Sequence, residues 1–214
     1  WLHVDGAFGA SVVFSEKHRN LVRGIERADS ITIDPHKWLA MPFAAGVIIT
    51  RRVEALRTAF EVTTPYMPRD ASANLVDNFK ISTQWSRKMN ALKLWVTLRV
   101  HGRQAYEEHI DRQLRLARNF ADWIRNSEDY ELVVEPDLTI VNFRVKNAGD
   151  EQTTAVANQA VVDAVTRDGT RWISETKVAG RSVIRMMVIS YLTDESHLKG
   201  LQNALTAAAK SVRA

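Results

Sequence analysis

Short apolar runs alternate with longer amphipathic stretches along this chain, and that order is typical of an α/β fold. Residues 2–5, 31–34 and 45–50 are predicted strands, and residues 51–60 are a predicted helix. The segment between the first two strands is long enough for a crossover with a short helix near residues 18–23. These two strands should therefore lie parallel and end at one edge of a mostly parallel sheet, where ligands bind in open α/β folds.

The periodic pattern stops at residues 61–83, which contain Pro65, Pro68 and many polar residues. We predict a long exposed loop there, and loops of this length are commonly functional. Apolar residues then recur at helical spacing from Ser86, a candidate N-cap. They predict a long helix that continues, with a break at Gly102, to about residue 126.

The last part of the chain predicts a small α/β domain. We expect strands near residues 130–134, 139–145, 171–175 and 182–189, and helices near residues 152–167 and 195–212. A domain boundary is accordingly predicted near residue 105.

Composition narrows the class of protein. Hydrophobic residues make up 45% of the 214 residues and charged residues 25%, so a sizeable core can be buried. The net charge of +4 is spread along the chain, which favours a solvated surface over a nucleic-acid partner. The chain has no cysteine, which excludes disulfides and cysteine-based metal or redox chemistry. The longest apolar run, around residues 41–49, is too short to span a membrane and no signal peptide is visible, so we expect a cytoplasmic protein.

One lysine stands in a setting suited to covalent chemistry, within the motif Asp34-Pro35-His36-Lys37-Trp38. Lys37 follows a β-rich run and precedes an apolar stretch that offers no nearby acid. We expect it at the end of a buried strand, where desolvation favours a neutral, nucleophilic amine. The alternative is a lysine that extends from a strand end into water.

A second motif lies upstream, where an apolar strand ends in Asp5 and the small residues Gly6 and Ala7 follow. Such a turn lets a flat ligand approach the backbone. Pyridoxal phosphate (PLP) chemistry requires at least two protein groups. One is a lysine that forms a Schiff base, and the other is a carboxylate that faces a pyridinium nitrogen. The alternative for Asp5 is a role in capping the turn. His3, on the same face of this predicted buried strand, is expected to be a core or supporting histidine.

Together these motifs resemble those of the group II PLP-dependent amino-acid decarboxylases, which include the aromatic-amino-acid, glutamate, histidine and tyrosine decarboxylases. Residues 3–8 and 34–38 match two motifs of that family at the family's spacing. Residues 86–95 are similar to its S-R-R-F-x-A-L-K-L-W helix start, and residues 184–190 to a strand near its C-terminus. The four matches run in order and cover nearly the whole chain.

The resemblance implies the fold of a fold type I PLP enzyme. Residues 1–105 would form the C-terminal part of the PLP-binding large domain, and residues 106–214 the small C-terminal α/β domain. Since the family's members are longer, this chain is expected to be the C-terminal half of such an enzyme, with an N-terminal half as its partner. The resemblance also implies a homodimer with its active site at the subunit interface.

The resemblance further implies roles for individual residues. Lys37 would form the Schiff base, Asp5 would pair with the ring nitrogen of PLP, and Ala7 would lie under the ring, where the alternative is simple turn packing. His36 would contact the cofactor phosphate or the substrate, and its alternative is a supporting histidine. Asp34 is not assigned to the phosphate, because an ionised acid would repel it. No metal site is implied.

Two candidates lie outside these motifs. Tyr66 is the only tyrosine of the predicted loop, and the family uses a loop tyrosine to protonate the carbanion left by decarboxylation. Its alternative role is to anchor the loop. Arg185, on a late predicted strand, would clamp a substrate carboxylate. Its alternative is structural pairing across a domain interface.

The expected reaction is decarboxylation of an L-amino acid to the amine and CO2, through a lysine Schiff base and a quinonoid intermediate, as the resemblance implies. Two alternatives remain open. One is another fold type I PLP enzyme, either a carbon–carbon lyase or an aminotransferase. The other is a cofactor-free remnant that acts as a binding module.

Overall fold

The computed structural model describes residues 1–62, 64–66 and 76–213. It divides into two compact units. The first unit comprises residues 1–14 and 22–104, and the second comprises residues 15–21 and 105–214. Residues 15–21 therefore belong to the second unit although they precede most of the first in sequence.

A three-stranded sheet organises the first unit. Its strands are β1 (His3–Asp5), β2 (Ser30–Ile33) and β3 (Val47–Thr50), in the order β1-β2-β3. Strands β1 and β2 are parallel, as predicted, whereas β2 and β3 are antiparallel. A loop joins β2 to β3, and an antiparallel pair needs no helical crossover. The helix α1 (Val53–Phe60) follows β3.

The predicted single helix between β1 and β2 is replaced by short 3-10 helices. They span Gly9–Phe14, Arg19–Val22 and Ile25–Arg27. A further 3-10 helix at Asn78–Lys80 lies within the predicted loop. Short 3-10 helices are common as connectors between longer elements.

A long helix, α2, runs from Asn90 to Arg125. Gly102 interrupts it with φ 72° and ψ 173°, a left-handed backbone that favours glycine, which confirms the predicted break. The prediction that Ser86 caps this helix is wrong, because α2 begins at Asn90 and the polar residues before it stay outside. Apolar spacing identifies the interior of a helix better than its first residue.

A four-stranded antiparallel sheet organises the second unit. Its strands are β4 (Tyr130–Val134), β5 (Ile140–Val145), β6 (Ser174–Val178) and β7 (Arg181–Met187), in the order β4-β5-β7-β6. The prediction for β6 is shifted by three residues. The apolar pair Trp172 and Ile173 suggested a strand there, but the hydrogen-bonded ladder uses the following polar residues, and Trp172 is exposed.

The remaining helices of the second unit are α3 (Glu151–Thr166) and α4 (Glu195–Arg213). Asp150 caps α3 by accepting a hydrogen bond from the Thr153 amide at 2.8 Å. The core of this unit combines residues of α3, α4 and the second part of α2 with the sheet. Its largest side chains include Phe120, Tyr130 and Phe143, all fully buried.

Among the described residues, no helix combines the length and apolar composition that crossing a membrane requires.

Candidate active site

The two sequence motifs end at the same edge of the first unit's sheet. Asp5 is the last residue of β1 and lies beside Thr32 of the parallel strand β2, which ends one residue later. The motif that begins at Asp34 follows directly. Because parallel strands present their carboxyl ends at one edge, Asp5 and the Lys37 turn leave the sheet on the same side.

Direct contacts then join the two motifs. The Asp34 amide donates a hydrogen bond to the Ala7 carbonyl oxygen at 3.0 Å. The rings of Phe8 and Trp38 stack with their centroids 4.9 Å apart, and Trp38 is fully buried. A backbone bond and an aromatic pair therefore fix the segment that carries Asp5 against the segment that carries Lys37.

The Asp5 carboxylate is held by its neighbours. Its Oδ1 accepts a hydrogen bond from the Ala7 amide at 3.1 Å and contacts the Thr32 hydroxyl at 3.4 Å. A Cβ added to Gly6 would lie 2.5 Å from the Ala10 Cβ and 3.0 Å from the Thr32 carbonyl oxygen. Only glycine fits at that position, so the turn after Asp5 packs closely on β2.

Among the described residues β1 is not buried, in contrast to the prediction. Asp5 and His3 are exposed, and Val4 is half-buried. In the described sheet β1 is an edge strand, with a hydrogen-bonded neighbour on one side only. His3 contacts the Ser30 hydroxyl through Nδ1 at 2.7 Å, which fits a supporting role beside the strand and not a core one.

The expected desolvation of Lys37 is not found among the described residues. Its Nζ lies 2.8 Å from Asp34 Oδ2, and its side chain is 39% exposed. The turn brings the two together, because the Lys37 amide donates to the Asp34 carbonyl oxygen at 2.9 Å. Partial exposure and an acid partner replace the expected desolvation of the amine.

The His36 side chain is fixed by the loop between β2 and β3. Its Nδ1 lies 2.6 Å from the Ala45 carbonyl oxygen and 3.2 Å from the Ala45 amide nitrogen. The shorter distance favours a proton on Nδ1 that is donated to the carbonyl oxygen. Nε2 then stays available to a ligand. It accepts a hydrogen bond when the ring is neutral and donates one when the ring is protonated.

The predicted cofactor fits the groups at this edge. Lys37 offers a primary amine, and Asp5 offers a carboxylate fixed by its neighbours. Those are the groups that an aldehyde and a pyridinium nitrogen require. Ala7, which binds both Asp5 and Asp34 through its backbone, brings only a methyl group to the half-buried surface between them. Among the residues that the structure describes, no cluster of three or more metal-ligating side chains is present.

Tyr66 and Arg185 are not brought to this edge by any contact among the described residues. Tyr66 is 74% exposed, and its neighbours at residues 67–75 lie outside the described part of the chain. Arg185 lies on β7 in the second unit, where its guanidinium contacts Met187 Sδ at 3.6 Å. The roles proposed for these two residues stay predictions.

Sequence reasoning missed two features of the site. One is the ion pair of Asp34 with Lys37, which the turn-forming Asp-Pro pair could have indicated. The other is Lys93, whose ammonium reaches the loop that holds His36. Lys93 falls within the matched helix motif at residues 86–95, but the motif does not reveal its contact, because the partners are backbone carbonyls far away along the chain.

Comparisons with known proteins found related sequences. Residues 1–146 match the model of the pyridoxal-dependent decarboxylase conserved domain. An aromatic-L-amino-acid decarboxylase from Bacillus atrophaeus is 32% identical over 99% of this chain and 45% of its own length. An L-2,4-diaminobutyrate decarboxylase from Acinetobacter baumannii is 31% identical over 100% of this chain and 42% of its own length.

A solved structure shares the fold. The crystal structure of Oryza sativa TDC with PLP and tryptamine matches 99% of this chain and 44% of that chain, with a TM-score of 0.90 and 26% identity. The chain thus spans less than half the length of the relatives that it matches.

Proposed function

The chain belongs to the pyridoxal-dependent decarboxylase family, and on this premise we propose that the complete protein uses PLP to convert an L-amino acid into the amine and CO2. The observation that carries the proposal is the junction of the two motifs. The Ala7–Asp34 backbone bond and the Phe8–Trp38 stack join the segment with the candidate anion to the segment with the candidate amine. The substrate is an amino acid whose side chain we leave unassigned.

When bound, PLP supplies the electron-withdrawing ring that stabilises negative charge at Cα after CO2 leaves. The protein's part is to bind, orient and charge that ring. We propose that Lys37 Nζ attaches the cofactor and is displaced by the substrate amine. Asp34 Oδ2, at 2.8 Å, holds Nζ in place and is the nearest described acceptor for its proton. Asp5 keeps the ring nitrogen protonated, because a fixed anion favours the cationic form.

His36 and Ala7 complete the cofactor site in this proposal. The Ala7 side chain is small enough to lie against a flat ring. His36, anchored to Ala45 through Nδ1, presents Nε2 to the ligand. A phosphate contact requires the protonated imidazole, because only then does Nε2 donate a hydrogen bond.

Arg185 is proposed to bind a carboxylate of the substrate. It is half-buried, its cross-strand neighbours Asn142 and Ser174 are uncharged, and among the described residues no carboxylate pairs with it. A guanidinium in such surroundings retains its capacity for a bidentate bond to a carboxylate.

We also propose that the active protein is a cytoplasmic homodimer with its active site at the subunit interface. In this proposal each subunit includes an N-terminal half. Leu92, Trp95 and Val96 share one face of α2 in the first unit and are 47%, 62% and 41% exposed. Contiguous exposed apolar side chains are typical of a surface that another polypeptide covers.

The reaction is tested by supplying the complete protein and PLP with a panel of aromatic, acidic and diamino L-amino acids. We expect CO2 and the corresponding amine in equal amounts from at least one of them. A 2-oxo acid without CO2, with the amino group transferred to PLP, would indicate an aminotransferase, and loss of the side chain without CO2 would indicate a lyase. Absence of any product from the whole panel would favour the cofactor-free binding module and contradict the proposal.

Tyr66→Phe removes the proposed proton donor while keeping the ring. We expect amine formation to slow by about 10²-fold, which is a typical contribution of general acid catalysis, without a change in PLP affinity. Steady-state amine release and a PLP titration measure the two effects. Tyr191→Phe, at another exposed tyrosine, is the matched control. A Tyr66→Phe protein with unchanged turnover would limit Tyr66 to the loop-anchoring alternative.

A further inference from the structure

Lys93 makes an unusual set of contacts in the first unit. It lies in the first turn of α2, and its Nζ is 3.4, 3.5 and 3.2 Å from the carbonyl oxygens of Pro42, Phe43 and Ala44. The side chain is half-buried. One ammonium group therefore faces three successive carbonyl groups of the loop between β2 and β3.

An ammonium group suits this arrangement. It has three hydrogen-bond donors and a compact charge, so it can satisfy several carbonyl oxygens that converge on one point. Hydrogen bonds to a charged group are stronger than those between neutral groups. Lys93 thus stabilises a loop conformation in which three successive carbonyls face one side.

The same loop fixes the predicted cofactor residues. The Phe43 ring packs edge-on against the His36 ring, with centroids 4.8 Å apart. Ala45, the next residue after the three carbonyls, holds His36 Nδ1 through its backbone. The Met41 amide donates to the Pro35 carbonyl oxygen at 3.1 Å and closes the turn around Lys37.

We propose that Lys93 is a positioning residue of the cofactor site. Its ammonium holds residues 42–44, and that loop in turn orients His36 and the Lys37 turn. The effect on PLP binding rests on the proposed function. The effect on the loop does not, because it follows from the contacts alone.

The test uses the complete protein with three single substitutions. Lys93→Met keeps an unbranched side chain of nearly the same length and removes its charge and donors. Lys93→Arg keeps a charge and donors that can reach neighbouring carbonyls. Lys199→Met, at an exposed lysine of α4, is the matched control for loss of a lysine on a helix.

Two readouts are measured for each variant. Hydrogen–deuterium exchange of peptides covering residues 38–47 reports the loop, where the Ala40 and Met41 amides are hydrogen-bonded. We expect Lys93→Met to speed this exchange about tenfold, which corresponds to about 1.4 kcal/mol, while exchange in β4 to β7 stays unchanged. The dissociation constant of PLP should rise by a similar factor. Lys93→Arg should restore much of both effects, and Lys199→Met should change neither.

Three outcomes would overturn the proposal. Unchanged exchange at residues 38–47 in Lys93→Met would show that the ammonium does not hold the loop. Weaker PLP binding with unchanged exchange would show that Lys93 acts by another route. Faster exchange throughout the protein would show that Lys93 supports global stability and does not act on this loop in particular. If the complete protein failed to bind PLP at all, the proposed function would fail while the exchange measurement still tested the loop.

Discussion

Lys37→Arg should reduce CO2 release from the complete protein by about 10⁴-fold or more, because a guanidinium cannot act as the nucleophile or exchange a proton in this cycle. The substitution keeps a positive charge opposite Asp34, so the 2.8 Å ion pair of the wild-type protein has a replacement. Loss of activity would then reflect the chemistry of the amine and not loss of the turn. Radiolabelled CO2 release with the substrate found in the panel measures the effect.

The matched control for Lys37→Arg is Lys17→Arg. Lys17 also pairs with an aspartate, since its Nζ lies 3.3 Å from Asp111 Oδ2, but it belongs to the second unit and is 74% exposed. We expect wild-type activity from the control. A Lys37→Arg protein that kept a tenth or more of the wild-type rate would remove Lys37 from the covalent role.

Asp5→Asn should lower kcat by about 10²- to 10³-fold, because a neutral amide cannot hold the ring nitrogen protonated. Each tenfold loss corresponds to about 1.4 kcal/mol of transition-state stabilisation. The asparagine oxygen can still accept the hydrogen bond from the Ala7 amide, so the turn should survive. Turnover at saturating PLP separates the electronic effect from weaker cofactor binding.

Asp168→Asn is the control that isolates the turn. Asp168 accepts a hydrogen bond from the Thr170 amide two residues on, as Asp5 does from the Ala7 amide, and it lies in the second unit. The hydrogen bonds that Asp168 accepts from Thr170, and the nearby Arg171, lower the pKa of Asp168. A loss of less than threefold in Asp5→Asn would mean that Asp5 only caps its turn.

Sequence reasoning located best the elements that depend on local features of the chain. The length of the segment between β1 and β2 predicted that these strands are parallel, and the structure confirms it. Gly102 breaks α2 because its backbone is left-handed there. The start of α2 and the position of β6 were misplaced, because helix ends and strand registers depend on contacts that apolar spacing does not encode.

The features of the candidate site likewise differ in how far the sequence predicts them. The types and order of residues identified Asp5 and Lys37 as a pair that could serve one cofactor. The surroundings of Lys37 were predicted wrongly, since the turn placed Asp34 beside its ammonium. The Lys93 contact could not be predicted, because it joins a helix to backbone carbonyls that carry no residue-specific signal.

The central claim is that Lys37 is the residue that binds PLP covalently, and borohydride reduction tests it most directly. The complete protein is incubated with PLP, reduced, digested and mapped by mass spectrometry. The predicted result is one pyridoxyl group per chain on Lys37, absent from the Lys37→Arg protein. Reduced pyridoxyl on another lysine, such as Lys93, or random labelling that persists in Lys37→Arg, would contradict it.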